Sequence, residues 1–145
     1  MEKLKENAII KIYSSQYEDG EKNESELITE GVYRIKGGLA NISYTETELT
    51  GFEGSETSVT VRRSEYACVE RKGTANSTLI LETEKKHHCY YSTPYGAMNM
   101  GIFTHTIENS LDETGGTLYM KYSVDINSAH ISDNEIKLVI SLKNN

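Results

Sequence analysis

The 145-residue sequence predicts an all-β protein, a single antiparallel up-and-down β-barrel of about 8–10 strands. Three observations predict this fold class. Apolar and polar residues alternate with a period of two along much of the chain, which is typical of half-buried strands, and no comparable window has the apolar spacing of an amphipathic helix. Clusters of turn residues separate the alternating runs. The length fits one domain, residues 1–145, with a single core.

The segment TLYMKYSVDIN, residues 117–127, shows the alternation most clearly. Leu118, Met120 and Tyr122 share one face, whereas Lys121 belongs to the opposite, mostly polar face. We therefore expect the side chains of that first face to point into the barrel. The same pattern recurs in shorter runs, at residues 136–142, 59–61 and 79–81.

About ten such runs lie between turn signals. We expect the strands near residues 7–17, 27–36, 39–49, 56–63, 65–71, 76–84, 87–93, 97–109, 116–128 and 135–143. The separating signals contain the residues that turns prefer: EDG at 18–20, KGG at 36–38, GFEG at 51–54, KG at 72–73, PYG at 94–96, GG at 115–116 and SDN at 132–134. We interpret residues 18–26, EDGEKNESE, as a mobile loop.

Short connections make consecutive strands antiparallel neighbours. A long meander with one apolar face must then either stack on itself or close into a barrel. Because closure also removes exposed edge strands, we favour a closed or nearly closed barrel over a Greek-key sandwich.

Charge and hydropathy exclude several classes of partner. A net charge of −7, without any run rich in Lys and Arg, argues against nucleic acid. The first apolar run, at residues 8–10, is far too short for a signal peptide or a membrane helix. The lack of Trp and the charged face of residues 117–127 argue against an outer-membrane barrel. We expect a cytoplasmic protein, monomeric or homodimeric, with no membrane partner.

Several segments resemble the YwiB-like family of bacterial proteins: ISYTETEL at 42–49, SVTVRR at 58–63, ERKGT at 70–74, YYSTPYGAMNMGIFT at 90–104 and GGTLYMKYSVDIN at 115–127. The most specific element is the spacing from TPYG at 93–96 through MG at 100–101 to GG at 115–116. The resemblance covers nearly the whole chain and implies a calycin- or lipocalin-like barrel. It implies no activity and no catalytic residue.

The stretch HHCYY at residues 87–91 contains three potential metal ligands. On a strand His87 and Cys89 face one side and His88 the other, so adjacent histidines cannot converge on one ion. Only a partial zinc set remains, His87 and Cys89 joined by His105 or His130 across the sheet. We therefore interpret the stretch as a plain strand and expect no metal site.

Cys68 and Cys89 belong to the fifth and seventh predicted strands. In a meander the sixth strand separates them by about 9–10 Å. A disulfide requires Cα atoms within about 7 Å of each other. We expect two free thiols.

The polar candidates on inward faces are Tyr44, Glu46, Arg63 and Arg71. Glu46 shares its face with Ile42, and Arg63 shares its face with Val59 and Val61 of the same predicted strand, so alternation directs both charges toward the interior. A charge there must be paired or hydrated. Either both lie near strand ends where the barrel opens to water, or they anchor a ligand at the mouth of a cavity, beside Tyr91 and Tyr95.

About ten strands enclose a wider interior than eight, and the sequence has no Trp and only two Phe to fill it. Met98, Met100 and Met120 either line a pliable pocket or fill irregular core space. We expect a small, partly apolar ligand inside the barrel, no cofactor and no assigned catalytic residue. The candidate ligand-binding residues are Tyr44, Glu46, Arg63, Arg71, Tyr91, Tyr95, Met100, Met120 and Tyr122.

Two alternatives stay open. One is a protein-interaction or structural module whose exposed, Tyr-rich faces bind a partner. The other is an enzyme that uses Glu46, Arg63 and a Tyr as acid, base and oxyanion donor, although no motif in the sequence indicates one.

Overall fold

The computed structural model describes residues 6–46, 53–73, 76–93 and 96–143, with side chains for all of these except 89–93 and 96–98. Every regular element within these residues is a strand. In chain order the strands are β1 (Ala8–Glu18), β2 (Glu21–Lys36), β3 (Leu39–Thr45), β4 (Glu56–Arg62), β5 (Tyr66–Lys72), β6 (Ser77–Glu82), β7 (Lys86–Thr93), β8 (Gly96–Asn109), β9 (Gly115–Ile126) and β10 (Ala129–Leu142). The described residues include no helix that could cross a membrane.

The ten strands form one antiparallel sheet in the order β6-β5-β4-β3-β2-β1-β10-β9-β8-β7. Pairing of β1 with β10 joins two meanders through the middle of the sheet. The residues that follow β6 then reach β8, where Thr83 forms a bridge with Thr104. The backbone N–H of Glu84 donates to the carbonyl of Thr104 over 2.9 Å. The sheet is therefore one nearly closed barrel, as the sequence predicted.

Inward-facing residues of β1–β6 and β8–β10 meet in one core. Leu118 and Met120 are fully buried and Tyr122 is 9% exposed, whereas Lys121 faces solvent. The predicted register of this strand is confirmed. The largest fully buried apolar side chains on the other strands are Ile10, Ile42, Val61, Leu81, Ile102 and Leu138.

The predicted loop at residues 18–26 is wrong. β1 turns tightly at Asp19 and Gly20, whose φ angles of 51° and 76° suit a two-residue hairpin turn, and β2 starts at Glu21. β2 pairs with β1 from Glu21 onward, so the pairing satisfies the backbone of a segment that is polar on both faces. The alternation that marks strands elsewhere is missing here because both faces of the hairpin contact water.

The predicted turn at residues 132–134 is also wrong. β10 already begins at Ala129, and the turn before it consists of Asn127 and Ser128, with φ angles of 51° and 71°. A register shift between His130 and Ser132 interrupts its pairing with β9. That irregularity accounts for the broken alternation of the sequence at this point.

Unequal pairing leaves one end of the barrel open. β2 pairs with β1 through residues 21–31, but β3 pairs only with residues 31–36 of β2. Among the described residues, the outer edge of β2 from residue 21 to 30 therefore has no neighbouring strand. The β1–β2 hairpin consequently extends beyond the ends of β3, β4 and β5 and forms one side of the mouth.

Candidate ligand-binding cavity

A cavity of about 440 Å³ lies inside the open end of the barrel. The inner face of the β1–β2 hairpin forms one wall, which includes Ser14, Gln16 and Leu27. The upper ends of β3, β4 and β5 form the opposite wall. The barrel core closes the cavity from below.

The floor and lower walls of the cavity are apolar. Val59 and Val69 are paired across β4 and β5 and face inward. Met120 and Leu138, which are fully or almost fully buried, approach from β9 and β10. Alternation along four strands thus creates a continuous apolar surface, which suits the hydrocarbon part of a ligand.

Three polar side chains stand side by side at the upper ends of β3, β4 and β5. Tyr44 is paired with Thr57, and Thr57 is paired with Arg71, so all three project into the cavity at one level. Glu46 follows two residues after Tyr44 and faces the same side. The backbone N–H of Glu46 donates to the carbonyl of Ser55 over 2.8 Å, which holds this residue beside β4 after β3 has ended.

Glu46 is the most deeply buried charged group of the cavity, with 4% of its surface exposed. The Thr57 hydroxyl donates to Glu46 Oε1 over 2.5 Å, and Arg71 Nη2 lies 3.5 Å from the same oxygen. Glu46 Oε2 is also buried but has no hydrogen-bond partner among the described residues. One carboxylate oxygen is therefore satisfied by the protein, while the other is buried without a donor among the described residues.

Burial raises the pKa of Tyr44 above its ordinary value of 10.0, and the negative charge of Glu46 raises it further. Burial also raises the pKa of Tyr122 to about 12, an effect that nearby Arg71 partly opposes. Both phenols are consequently protonated at neutral pH. Tyr44 lines the cavity and can exchange hydrogen bonds with a ligand, but neither phenol is a base under these conditions.

Four of the candidate residues come together at this cavity: Tyr44, Glu46, Arg71 and Met120. Tyr122 lines a cleft that adjoins the cavity along β10 and the hairpin. Met100 is partly buried and packs against the core. The Tyr91 side chain and the whole of Tyr95 lie outside the described residues, as does the side chain of Met98.

The predicted inward position of Arg63 is wrong. β4 ends at Arg62, and Arg63 adopts a left-handed conformation with φ 50° in the exposed turn before β5. Its carbonyl accepts a hydrogen bond of 2.9 Å from Asn109 Nδ2. Because the left-handed residue ends the alternation of β4, parity with the preceding valines no longer predicts where this side chain points.

Thr57 and the hairpin residues that complete the cavity are not among the residues that the sequence predicted. Thr57 shares the parity of Val59 and Val61, so alternation carried a signal for its inward position. Ser14 and Ser25 pair across the hairpin and both line the cavity. That pairing was hidden because residues 18–26 resemble a loop.

Three histidines, His87, His105 and His130, contact polar side chains, and a hydrogen bond from Ser123 to Asp133 connects the last two. His87 Nε2 lies 2.9 Å from Glu82, and His130 Nε2 lies 3.1 Å from Asp133. His105 Nε2 lies 2.6 Å from the hydroxyl of Ser123. Within the described part of the chain, no three His, Cys, Asp or Glu side chains are grouped as metal ligands.

Cys68 is a free thiol on β5, half-buried and on the outer side of the barrel. The side chain of Cys89 lies outside the described residues. β6 and β7 are not paired and stand at the two ends of the strand order, which meet where the barrel closes, so the predicted distance between the two cysteines stays a prediction. That Cys89 is also a free thiol stays a prediction.

Comparison with known proteins agrees with the fold. The chain is similar to the crystal structure of the ywiB protein from Bacillus subtilis, with a TM-score of 0.70 and 21% sequence identity over 92% of this chain and 91% of that chain. At this identity the likeness concerns the fold alone. No curated protein matches the chain. The family model described as "Domain of unknown function (DUF1934)" matches residues 10–138, and the chain therefore belongs to the DUF1934 family.

Proposed function

We propose that this protein binds a small, partly apolar molecule in the cavity of its barrel. The observation that carries the proposal is a cavity of about 440 Å³ that combines an apolar floor with a buried carboxylate. Ligand sites in proteins usually measure about 300–1,000 Å³ and combine mostly apolar walls with a few polar groups. The cavity matches both properties.

The apolar floor supplies the driving force for binding. A hydrocarbon group placed against Val59, Val69 and Leu138 leaves water and contributes about 0.8 kcal/mol for each buried CH₂. A chain of six to eight carbons accordingly gains several kcal/mol before the entropy lost on binding is subtracted. The cavity is large enough for such a molecule.

The polar groups favour binding over catalysis. Both inward phenols, Tyr44 and Tyr122, are protonated at neutral pH because burial raises their pKa values. A cytoplasmic location belongs to the same proposal and is supported by the free thiol of Cys68.

The test uses the neutral dye prodan, whose fluorescence increases in apolar surroundings. We expect saturable binding with one site per chain. Val69→Trp should fill the cavity and abolish the binding, because Val69 faces inward. Val139→Trp is the matched control, since Val139 on β10 faces outward and lies outside the cavity.

Circular dichroism should show the same strand content in both variants. Absence of binding to the wild-type protein would contradict the proposal. Equal binding by the two Trp variants would show that the dye binds elsewhere.

A further inference from the structure

We infer that the cavity selects its ligand by a terminal hydrogen-bond donor: the molecule is an apolar amine or alcohol whose N–H or O–H group donates to Glu46 Oε2. The inference rests on the proposed function and adds the chemical class of the ligand. It excludes apolar carboxylates of the same length.

The first support is the position of Glu46. Its side chain is only 2% exposed, and it lines the cavity. Oε2 has no hydrogen-bond partner among the described residues. A buried carboxylate oxygen without a donor is unfavourable because it has lost hydration and gained nothing in return. A ligand that supplies a donor removes this cost.

The second support is the direction of the donors that the protein provides. The Thr57 hydroxyl and Arg71 Nη2 both approach Oε1, at 2.5 Å and 3.5 Å. The single hydroxyl proton of Thr57 is used in that contact. Both protein donors are therefore at one oxygen of the carboxylate, and the other oxygen is left to the occupant of the cavity.

The third support is electrostatic. A ligand carboxylate near Glu46 would bring two negative charges together where little water screens them, and the single positive charge of Arg71, 3.5 Å from Oε1, compensates only one of them. A protonated amine forms a hydrogen bond with this carboxylate in which both partners are charged, whereas in the hydrogen bond of an alcohol only the carboxylate is charged, so the attraction is weaker. We therefore expect affinity to decrease from the amine to the alcohol and to be lowest for the carboxylate.

The apolar floor sets the orientation of the ligand. Val59 and Val69 are the next inward-facing residues after Thr57 and Arg71 along β4 and β5, so they lie below the polar level. A ligand whose donor reaches Glu46 extends its hydrocarbon chain toward these residues. The donor must therefore be terminal, because a donor in the middle of the chain would expose one half of it at the mouth.

The experiment is calorimetric titration of the full chain at pH 7 with four ligands of one chain length. These are octylamine, 1-octanol, octanoate and octyltrimethylammonium, the last of which carries a positive charge but no N–H. We expect octylamine to bind at least tenfold more tightly than octanoate and octyltrimethylammonium. Octanol should bind with intermediate affinity.

Glu46→Gln should reduce the preference for octylamine over octanoate at least tenfold. Glu56→Gln is the matched control, because Glu56 is exposed on β4 outside the cavity. It should retain the wild-type selectivity.

Several outcomes would overturn the inference. Octanoate binding as tightly as octylamine would disprove selection for a donor. Octyltrimethylammonium binding as tightly as octylamine would show that charge, not the hydrogen bond, selects the ligand. These two wild-type comparisons need no variant and decide the question even if Glu46→Gln does not fold. If prodan binds but octylamine does not, only this inference fails; if neither binds, the proposed function fails as well.

Discussion

Thr57 donates its hydroxyl proton to Glu46 across neighbouring strands, with 2.5 Å between Oγ1 and Oε1 and both residues buried. The two residues are brought together by the pairing of β3 with β4, which places Thr57 beside Tyr44. The contact fixes one oxygen of the carboxylate and leaves the other without a donor among the described residues. The same hydrogen bond therefore affects both the stability of the open end of the barrel and the polar groups that the cavity offers to a ligand.

Removing this donor should destabilise the protein. Thr57→Val keeps the shape of the side chain but leaves the buried Glu46 Oε1 with only the long contact to Arg71. We expect the free energy of unfolding in urea to decrease by about 1–3 kcal/mol. Thr78→Val, at an exposed position of β6, should change it by no more than about 0.5 kcal/mol. Equal effects of the two changes would refute the importance of the contact.

The inner face of β9 should be the more sensitive face of that strand. Leu118 is fully buried in the core, so Leu118→Ala should lower the free energy of unfolding by about 2–5 kcal/mol. Lys121 is exposed on the opposite face, and Lys121→Ala should change it by about 0.5 kcal/mol or less. Urea unfolding of both variants measures the difference. A larger loss at Lys121 would mean that the register is inverted.

Alkaline pH should destabilise the barrel through Tyr122. Burial raises its pKa in the folded state from 10.0 to about 12. The resulting stabilisation is fully present below pH 10, where the folded and unfolded states are both protonated, and it is lost as pH rises from 10 to about 12. A shift of this size corresponds to about 3 kcal/mol.

Urea unfolding between pH 8 and pH 11.5 tests this dependence. Tyr122→Phe should remove part of the decrease in the free energy of unfolding at alkaline pH. The remaining decrease comes from Tyr44, whose pKa is also raised. Tyr17→Phe serves as the control because Tyr17 is 51% exposed. Identical pH profiles for wild type and Tyr122→Phe would contradict the assignment.

The β1–β2 hairpin should behave as paired strands and not as a loop. Gly20 has φ 76° and no neighbouring atoms where a Cβ would lie, so Gly20→Ala costs about 1–2 kcal/mol through its backbone conformation alone. We expect faster amide hydrogen exchange at residues 14–25 and unchanged exchange in the core strands. Glu21→Ala, at the neighbouring exposed position, should leave the exchange unchanged. Unprotected amides at residues 14–25 of the wild-type protein would show that the segment is a loop.

The sequence by itself determined most of the strands and their inner faces. Leu118, Met120 and Tyr122 point inward as their alternation predicts, because a strand with one face in the core and one in water must place alternate residues on opposite sides. The same rule correctly predicted that Glu46 points inward. Short connections predicted antiparallel neighbours, and the need to cover strand edges predicted closure.

Only the tertiary structure decided where this periodicity stops. The hairpin around Gly20 has polar residues on both faces because both contact water, so alternation cannot distinguish it from a loop. Arg63 leaves its predicted face because one left-handed residue ends β4. Alternation predicts which side of a strand a residue faces. The prediction fails where both faces of a strand contact water and where the backbone leaves the extended conformation.

The register between strands determines which residues contact Glu46. Thr57 and Arg71 are 11 and 25 residues away from Glu46 along the chain. They reach the carboxylate because the pairing of β3 with β4 and of β4 with β5 places Tyr44, Thr57 and Arg71 at one level. Shifting one pairing by a single residue would turn these side chains to the other face. The sequence determined that Glu46 faces inward, and the pairing of distant strands decided which of its oxygens the protein satisfies.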